Sequence, residues 1–315
     1  MNICISGALG HIGSKLIRNL SIPNLGKVHL VDNLLTQRYA SLFDLPDGID
    51  FIFHPVDIHS KEMIAIIKEC DILIHLAAVT DATKSFDRVK EVEAINKIGF
   101  EYVANLCAES GCSLLFPSST SVYGTQSALV DENCAEENLK PQSPYAESKI
   151  FSENLLFELG SKRGLKYVIL RIGTIFGYSI GMRFHTAVNK FIWQASIGQP
   201  LSVWKTALHQ KRPYCDLKDC VAAINFFVSE GGFNNQIYNI VTDNLTVQNV
   251  IDIIRKHIPG IQIAFVDSAI MNQLSYEVSN TKSIELGFAY RGNIEDGIYE
   301  SLLKLKNADV AIDMV

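Results

Sequence analysis

Asn2-Ile3-Cys4-Ile5-Ser6-Gly7-Ala8-Leu9-Gly10-His11-Ile12-Gly13 opens the chain and decides its fold. Residues 2–6 are an apolar run of strand length. The glycines make a tight turn, and 14–20 continue with helical spacing. Strand, glycine turn and helix in that order is the context that gives a glycine motif weight. Gly7 permits the turn, Gly10 lets the backbone approach a pyrophosphate, and Gly13 lets helix and strand pack closely. His11 and Ile12 belong to the same turn, at a helix N-terminus whose unpaired N–H groups favour an anion. The spacing is GxxGxxG, not GxGxxG.

A second apolar run, 27–31, ends in Asp32, nineteen residues after Gly13. A carboxylate at that distance is placed to accept hydrogen bonds from both hydroxyls of a ribose. It repels a 2′-phosphate, which argues for NAD over NADP. Arg38 is the nearby residue that would soften this choice, and a solvated loop arginine is the favoured reading of it.

Apolar runs then alternate with helical patterns through about residue 172. The runs are 2–6, 27–31, 50–53, 71–76, 113–117 and 166–171, with helices over 11–20, 60–69, 87–110 and 145–163. This rhythm predicts an α/β, doubly wound parallel sheet covered on both faces. Beyond Arg171 the rhythm changes to a helix near 185–197, strands at 201–204 and 236–241, and helices near 217–229, 246–257 and 294–306. The expected division is a dinucleotide-binding domain over 1–172 and a smaller α/β substrate lobe over 173–315, interwoven with it.

The chain has 315 residues, of which 48% are apolar, enough for a sizeable core. Net charge is −6 with no basic stripe, which argues against nucleic-acid binding. No apolar run approaches the ~18 residues of a membrane span, and the chain opens directly on a strand, so neither a span nor a signal peptide is expected. Seven cysteines without CxxC spacing fit buried thiols in a reducing cytoplasm. Eight scattered histidines show no paired ligand spacing, so no metal is expected.

Pro144-Tyr145-Ala146-Glu147-Ser148-Lys149 places a Tyr and a Lys one helical turn apart, on one face. An ammonium beside a phenol is expected to pull the Tyr below its ordinary pKa of about 10, giving an acid or base usable near neutrality. Isolated, such a pair is usually an ordinary surface helix. Here Ser118-Ser119-Thr120-Ser121-Val122-Tyr123-Gly124 lies upstream, after the strand run at 113–117, where a parallel sheet faces its ligand crevice.

Together these motifs resemble the extended short-chain dehydrogenase/reductase family, in particular its nucleotide-sugar epimerases and dehydratases, over nearly the whole chain. The resemblance implies a Rossmann-type sheet, an NAD cofactor and a nucleotide-sugar substrate. It assigns Ser119, Tyr145 and Lys149 to catalysis. It assigns the cofactor to Gly7, Gly10, His11, Ile12, Gly13, Asp32, Asn33, Asp57, Ile58, Leu76, Ala77, Ala78 and Asn96, together with Tyr145 and Lys149. Ser119 and Thr120 face the sugar. Arg212, in Lys211-Arg212-Pro213-Tyr214-Cys215-Asp216, is similar to the clamp on the substrate diphosphate, and the competing reading is an ion pair with Asp216 or Asp219. Arg291 is a looser match to a second phosphate contact. Thr174, a substrate contact near the sugar and diphosphate, stands where the family has Asn, and Pro213 stands where it has Asp. Arg183 and His185, in a segment without a family counterpart, are read as contacts to a carboxylate, a phosphate or a base edge, or as packing residues.

The reaction implied is hydride removal at C4 of the sugar, Tyr145 taking the hydroxyl proton, and return of hydride to the other face of a 4-keto intermediate. Dehydratases of the family carry Asp-Glu after the catalytic hydroxyl. Thr120 and Ser121 occupy those positions, so epimerisation is favoured over dehydration, with C4 oxidation or reduction next. A non-catalytic NAD-binding redox sensor is the alternative of another class. The resemblance also implies a homodimer through the helices near 90–110 and 145–163. Phe100, Val103, Leu106 and Cys107, with Ile150, Leu155 and Leu156, are the candidate contacts, and packing of the same residues on the sheet is the alternative.

Overall fold

A computed structural model describes residues 1–124, 129–230, 232–267 and 275–306. Its strands are β1 (Ile3–Ser6), β2 (Lys27–Val31), β3 (Asp50–His54), β4 (Ile72–His75), β5 (Ser113–Ser119), β6 (Leu129–Val130), β7 (Tyr167–Ile172), β8 (Thr174–Phe176), β9 (Leu201–Trp204), β10 (Lys211–Asp216), β11 (Gln236–Ile240), β12 (Asp243–Thr246), β13 (Ile263–Val266) and β14 (Glu277–Val278). Its helices are α1 (His11–Leu16), α2 (Glu62–Lys68), α3 (Val89–Val92), α4 (Phe100–Ser110), α5 (Pro144–Arg163), α6 (Ala187–Ser196), α7 (Leu217–Ser229), α8 (Val247–His257), α9 (Thr281–Glu285) and α10 (Ile294–Leu305).

Seven strands form one parallel sheet in the order β11-β7-β5-β4-β1-β2-β3. The central strands are apolar on both faces because both are covered. Ile3 and Ile5 of β1 face a core shared with Leu16, Ile224 and Phe227, so α1 and α7 cover that side. Cys4, between them in sequence, faces the opposite core of Met63, Phe100, Val103 and Leu156, contributed by α2, α4 and α5. Strand side chains alternate, so one apolar run feeds two cores.

Two expectations change. The strand at 236–241, assigned from sequence to the lobe, is β11, the seventh strand of the main sheet, hydrogen-bonded parallel to β7. Its preceding helix α7 packs in the first core. The boundary at 172 therefore does not separate the layers: β7 leaves an open edge, and the chain returns from the lobe to cover it. The helix expected over 87–110 runs as α3, a π-helical stretch Glu93–Gly99, and α4. The wider turn directs Asn96 inward, where it is 4% exposed. It accepts from Val79 N (2.8 Å) and donates to Val79 O (2.9 Å) and Ser148 Oγ (3.1 Å).

The lobe is built around a third apolar centre. Phe176, Val188, Ile192, Val203, Tyr214, Ile251 and Ile298 pack together there. β10 pairs antiparallel with β12 and parallel with β8. A parallel pair joins β9 to β13, and another joins β6 to β14. The part of the lobe expected over 307–315 lies outside the described residues. Among the described residues no helix is long and apolar enough to cross a membrane.

Candidate active site

The cleft opens where the carboxyl ends of β1, β4 and β5 meet the lobe. Its catalytic chamber is lined by Gly7, His11, Ser119, Tyr145, Lys149, Thr174 and Arg212, among others. An adjoining chamber is lined by Asp32, Asn33, Arg38, Asp57, Ile58 and Ala77. Arg183, His185, Gly10, Leu76 and Ala78 border both.

The glycine turn is held as its sequence requires. Gly7 has φ +70°, and a β-carbon on it would meet Ala77 N at 2.6 Å. One on Gly13 would lie 2.4 Å from Ala8 O, the close helix–strand approach that excludes any side chain. Asp32 ends β2 with Oδ2 accepting from Leu9 N (3.1 Å) and Oδ1 from Leu34 N (2.9 Å). Asn33 Nδ2 donates to Asp57 Oδ2 at 2.8 Å.

Helix α5 starts at Ser143, whose side chain accepts from Ala146 N, with Pro144 at its first turn, and stops at Gly164, φ +70°. These caps fix the register in which Tyr145 and Lys149 point to the sheet. Its buried face carries Ser148, Lys149, Ser152 and Glu153 as well as Leu156 and Leu159. Along β5 the serines alternate. Ser118 donates to the buried Glu153 Oε1, while Ser119 is bonded to groups on the cleft side. Ser119 Oγ accepts from Ser121 N (3.2 Å) and from Ser121 Oγ (2.9 Å). Its own proton is therefore free to be donated, and it hydrogen-bonds the Tyr145 phenol.

The charges differ from the simple pairing expected from sequence. Burial raises the Tyr145 pKa, and the Ser119 hydrogen bond and the Arg183 charge pull it back. Lys149 is bonded elsewhere. Its Nζ donates to Pro117 O at 2.7 Å and stands 4.4 Å from the Phe116 ring centre, against 5.8 Å from that of Tyr145. Burial lowers Lys149 to about 7, opposed by Glu153. The ammonium lies against an aromatic ring and one carbonyl, so burial outweighs its neighbours.

Behind the cleft, Arg171 forms a two-pronged pair with Glu153, Nε to Oε1 at 3.0 Å and Nη2 to Oε2 at 2.6 Å. Arg171 also stacks 4.8 Å over the Tyr123 ring centre, and Tyr123 donates to Asn239 Oδ1 at 2.8 Å. This ties β5, α5, β7 and β11 together beneath Ser119.

Most sequence-predicted site residues reach the cleft. Two do not line it. Asn96 is consumed by Val79 and Ser148, so it positions the loop after β4. Arg291 is exposed, because its backbone N–H and that of Gly292 bind Asp219 Oδ1, both at 2.9 Å, and its side chain leaves the cleft. Arg212 lines the catalytic chamber, and its hydrogen bond among the described residues is to Gln210 Oε1 at 3.3 Å. The acids proposed as its partners are engaged elsewhere: Asp216 caps α7 through Lys218 N, and Asp219 also accepts from Thr242.

Sequence reasoning missed Ser202, Trp204, Tyr214 and Tyr276, which also line the chamber. The alternating exposure of β9 is the signal for Ser202 and Trp204. Tyr276 sits beside Thr120, 3.5 Å between oxygens, and no local pattern announced it. Among the described residues no group of His, Cys, Asp and Glu is arranged to hold a metal ion.

Fold, glycine turn and Ser–Tyr–Lys cleft define an extended dinucleotide-dependent enzyme architecture. Residues 3–241 match the NAD dependent epimerase/dehydratase family, and the chain belongs to it. Similar proteins include an uncharacterized UDP-glucose epimerase of Bacillus subtilis, 26% identical over 249 residues, with 76% of each chain covered. A trifunctional UDP-glucose 4,6-dehydratase/3,5-epimerase/reductase of Arabidopsis thaliana is 27% identical over 96% of this chain, which spans only 46% of that protein's length. The fold is also that of the UDP-glucuronic acid 4-epimerase of Bacillus cereus in complex with UDP-glucuronic acid and NAD: TM-score 0.88, 22% identity, 98% of this chain and 100% of that one.

The residues present fit a dinucleotide. Asp32 lines the chamber that adjoins the glycine turn, and a nitrogen of Arg38 there, Nη1, is buried without a partner.

Proposed function

We propose that this protein is an NAD-dependent epimerase of a nucleotide-diphosphate sugar, working through a 4-keto intermediate. The observation that carries the reading is the convergence of Ser119, Tyr145 and Lys149 on one cleft wall, with Thr120 and Ser121 where an eliminating enzyme needs carboxylic acids. NAD supplies the reversible hydride acceptor when bound. Tyr145 takes the C4 hydroxyl proton and returns it on the other face of the turned sugar. Ser119, with its oxygen occupied by Ser121, donates its proton to the sugar oxygen and stabilises charge there. Lys149, anchored on Pro117, holds the ribose side of the cofactor. Arg212, free of carboxylate partners among the described residues, binds the substrate diphosphate. Dehydration lacks its acid, and a sensor has no need of the complete triad.

Two further assignments belong to this reading. The protein is a homodimer: Phe100, Val103, Cys107 and Leu156 are buried on the sheet, so the contact falls instead to the outward residues Ile98, Phe151 and Phe157, 56%, 37% and 40% exposed. It works in the cytoplasm, which its seven free cysteines support.

The decisive test is Tyr145→Phe, assayed by turnover of UDP-sugars and by NAD titration. Turnover should fall by about two to four powers of ten with NAD affinity nearly unchanged. Turnover above about a tenth of the parent would remove Tyr145 from proton transfer and the proposal with it.

A further inference from the structure

Two guanidinium groups from different parts of the chain meet over the glycine turn. A β-carbon built on Gly10 would lie 3.9 Å from Arg183 Nη2 and 4.0 Å from Arg38 Nη1. Arg38 follows β2, and Arg183 belongs to the lobe segment before α6. Arg183 Nη1 donates to the Thr80 hydroxyl. Arg38 Nη1 is buried and unpartnered. Asp32 is the nearby acid, but both its oxygens accept backbone N–H groups, from Leu9 and Leu34. Burial lowers Arg183 to about 10, helped by the charge of Arg38 and opposed by Tyr145, Asp32 and Asp81. Burial also lowers Arg38. Two partly buried cations brought close over the turn, neither hydrogen-bonded to a carboxylate and only in part offset by Asp32 and Asp81, leave the ligand-free protein with a local positive charge that an anion would relieve.

The segment that delivers Arg183 is fastened to the turn itself. Ser179 Oγ and His11 Nδ1 are 2.7 Å apart, and Gly181 N donates to Ser14 Oγ at 3.0 Å. A β-carbon on Gly181 would come within 2.5 Å of Leu9 O, so only glycine allows this approach. Asn189 Nδ2 donates to Arg183 O at 3.0 Å. Arg183 is thus held against the cofactor turn.

We propose that Arg183, together with Arg38, binds the diphosphate of the dinucleotide, so that the substrate lobe holds the cofactor as well as the sugar. This moves Arg183 from the substrate contacts expected from sequence to the cofactor. It rests on the reading of the cleft as a dinucleotide site. A diphosphate offers several anionic oxygens to two rigid donor forks.

The test uses nucleotide-stripped protein, titrated with NAD and with adenosine, which lacks phosphate. Arg183→Met should weaken NAD by about tenfold or more, as for the loss of charge-assisted hydrogen bonds, and leave adenosine within about twofold. The ligand-free melting temperature should hold or rise, because a like-charge contact is removed. Arg183→Lys, which keeps charge without the fork, should fall between, and serves if the Met variant does not fold. NAD affinity within about twofold of the parent in both variants overturns the proposal, as does an equal loss for NAD and adenosine. Unchanged NAD binding with weaker binding of a carboxylate-bearing UDP-sugar reassigns Arg183 to the substrate. A protein that fails to turn over UDP-sugars but still loses NAD affinity on Arg183→Met would defeat the epimerase reading and leave this one standing.

Discussion

Lys149 sets a pH dependence that the ligand-free protein should display. The side chain is 6% exposed, and burial lowers its pKa from the ordinary 10.5 to about 7. Between about pH 7 and pH 10 the folded protein therefore holds fewer protons at this site than the unfolded chain. Stability rises with pH wherever the unfolded state binds more protons, so this group contributes increasing stability through that window. Below about pH 7 both states are protonated and its contribution is constant. The slope approaches about 1.4 kcal/mol per pH unit, so from pH 7 to pH 9 the gain is about 2 kcal/mol, or a few degrees of melting temperature. The buried thiols act in the opposite sense toward pH 9. Cys4 and Cys107 are raised by burial, so the unfolded chain loses their protons first. That effect is common to the parent and to Lys149→Met. The assay is the difference in melting temperature between parent and variant at half-unit intervals from pH 6.5 to pH 9. The parent should gain on the variant by those few degrees as pH rises. Parallel curves would mean that the Pro117 hydrogen bond keeps Lys149 charged in the empty cleft and that burial does not dominate.

Arg212→Met should weaken nucleotide-sugar binding by about 2 kcal/mol, while NAD affinity and substrate-free melting hardly move; lost stability with unchanged sugar binding would make it structural. Arg171→Met should cost about 3–5 kcal/mol in urea unfolding, because it strands the buried Glu153 carboxylate. The double variant Arg171→Met/Glu153→Met should recover most of that loss, and failure to recover would show that the pair does more than neutralise itself.

Much of this architecture is legible along the chain because the signals are local. A strand, a glycine turn and a helix are set by neighbours in sequence, and Asp32 stands at a distance fixed by one strand–helix–strand passage. The caps Ser143 and Gly164 define α5, so the placement of Tyr145 and Lys149 one turn apart follows directly. What failed to read locally depends on distant chain. β11 looks like any short strand, and only the open edge of β7 draws it out of the lobe and into the main sheet. Tyr276 reaches the cleft from a stretch with no periodicity, and Arg291 leaves it because Asp219 takes its backbone.

The electrostatics make the same distinction more sharply. Spacing alone says that an ammonium one turn from a phenol stabilises the phenolate. Three-dimensional burial reverses the balance, raising Tyr145 and lowering Lys149 together. The groups that do pull Tyr145 down are Ser119, from a strand 26 residues earlier, and Arg183, from the lobe 38 residues later. A charge held near the phenol by the lobe links Tyr145 to whatever anion occupies the space over Gly10. If Arg183 is neutralised there by a diphosphate, part of its pull on Tyr145 is lost when the cofactor arrives. Ser119 then carries more of the opposition to burial. The cleft is therefore a set of competing charges around Tyr145, and the balance there depends on whether an anion occupies the space over Gly10.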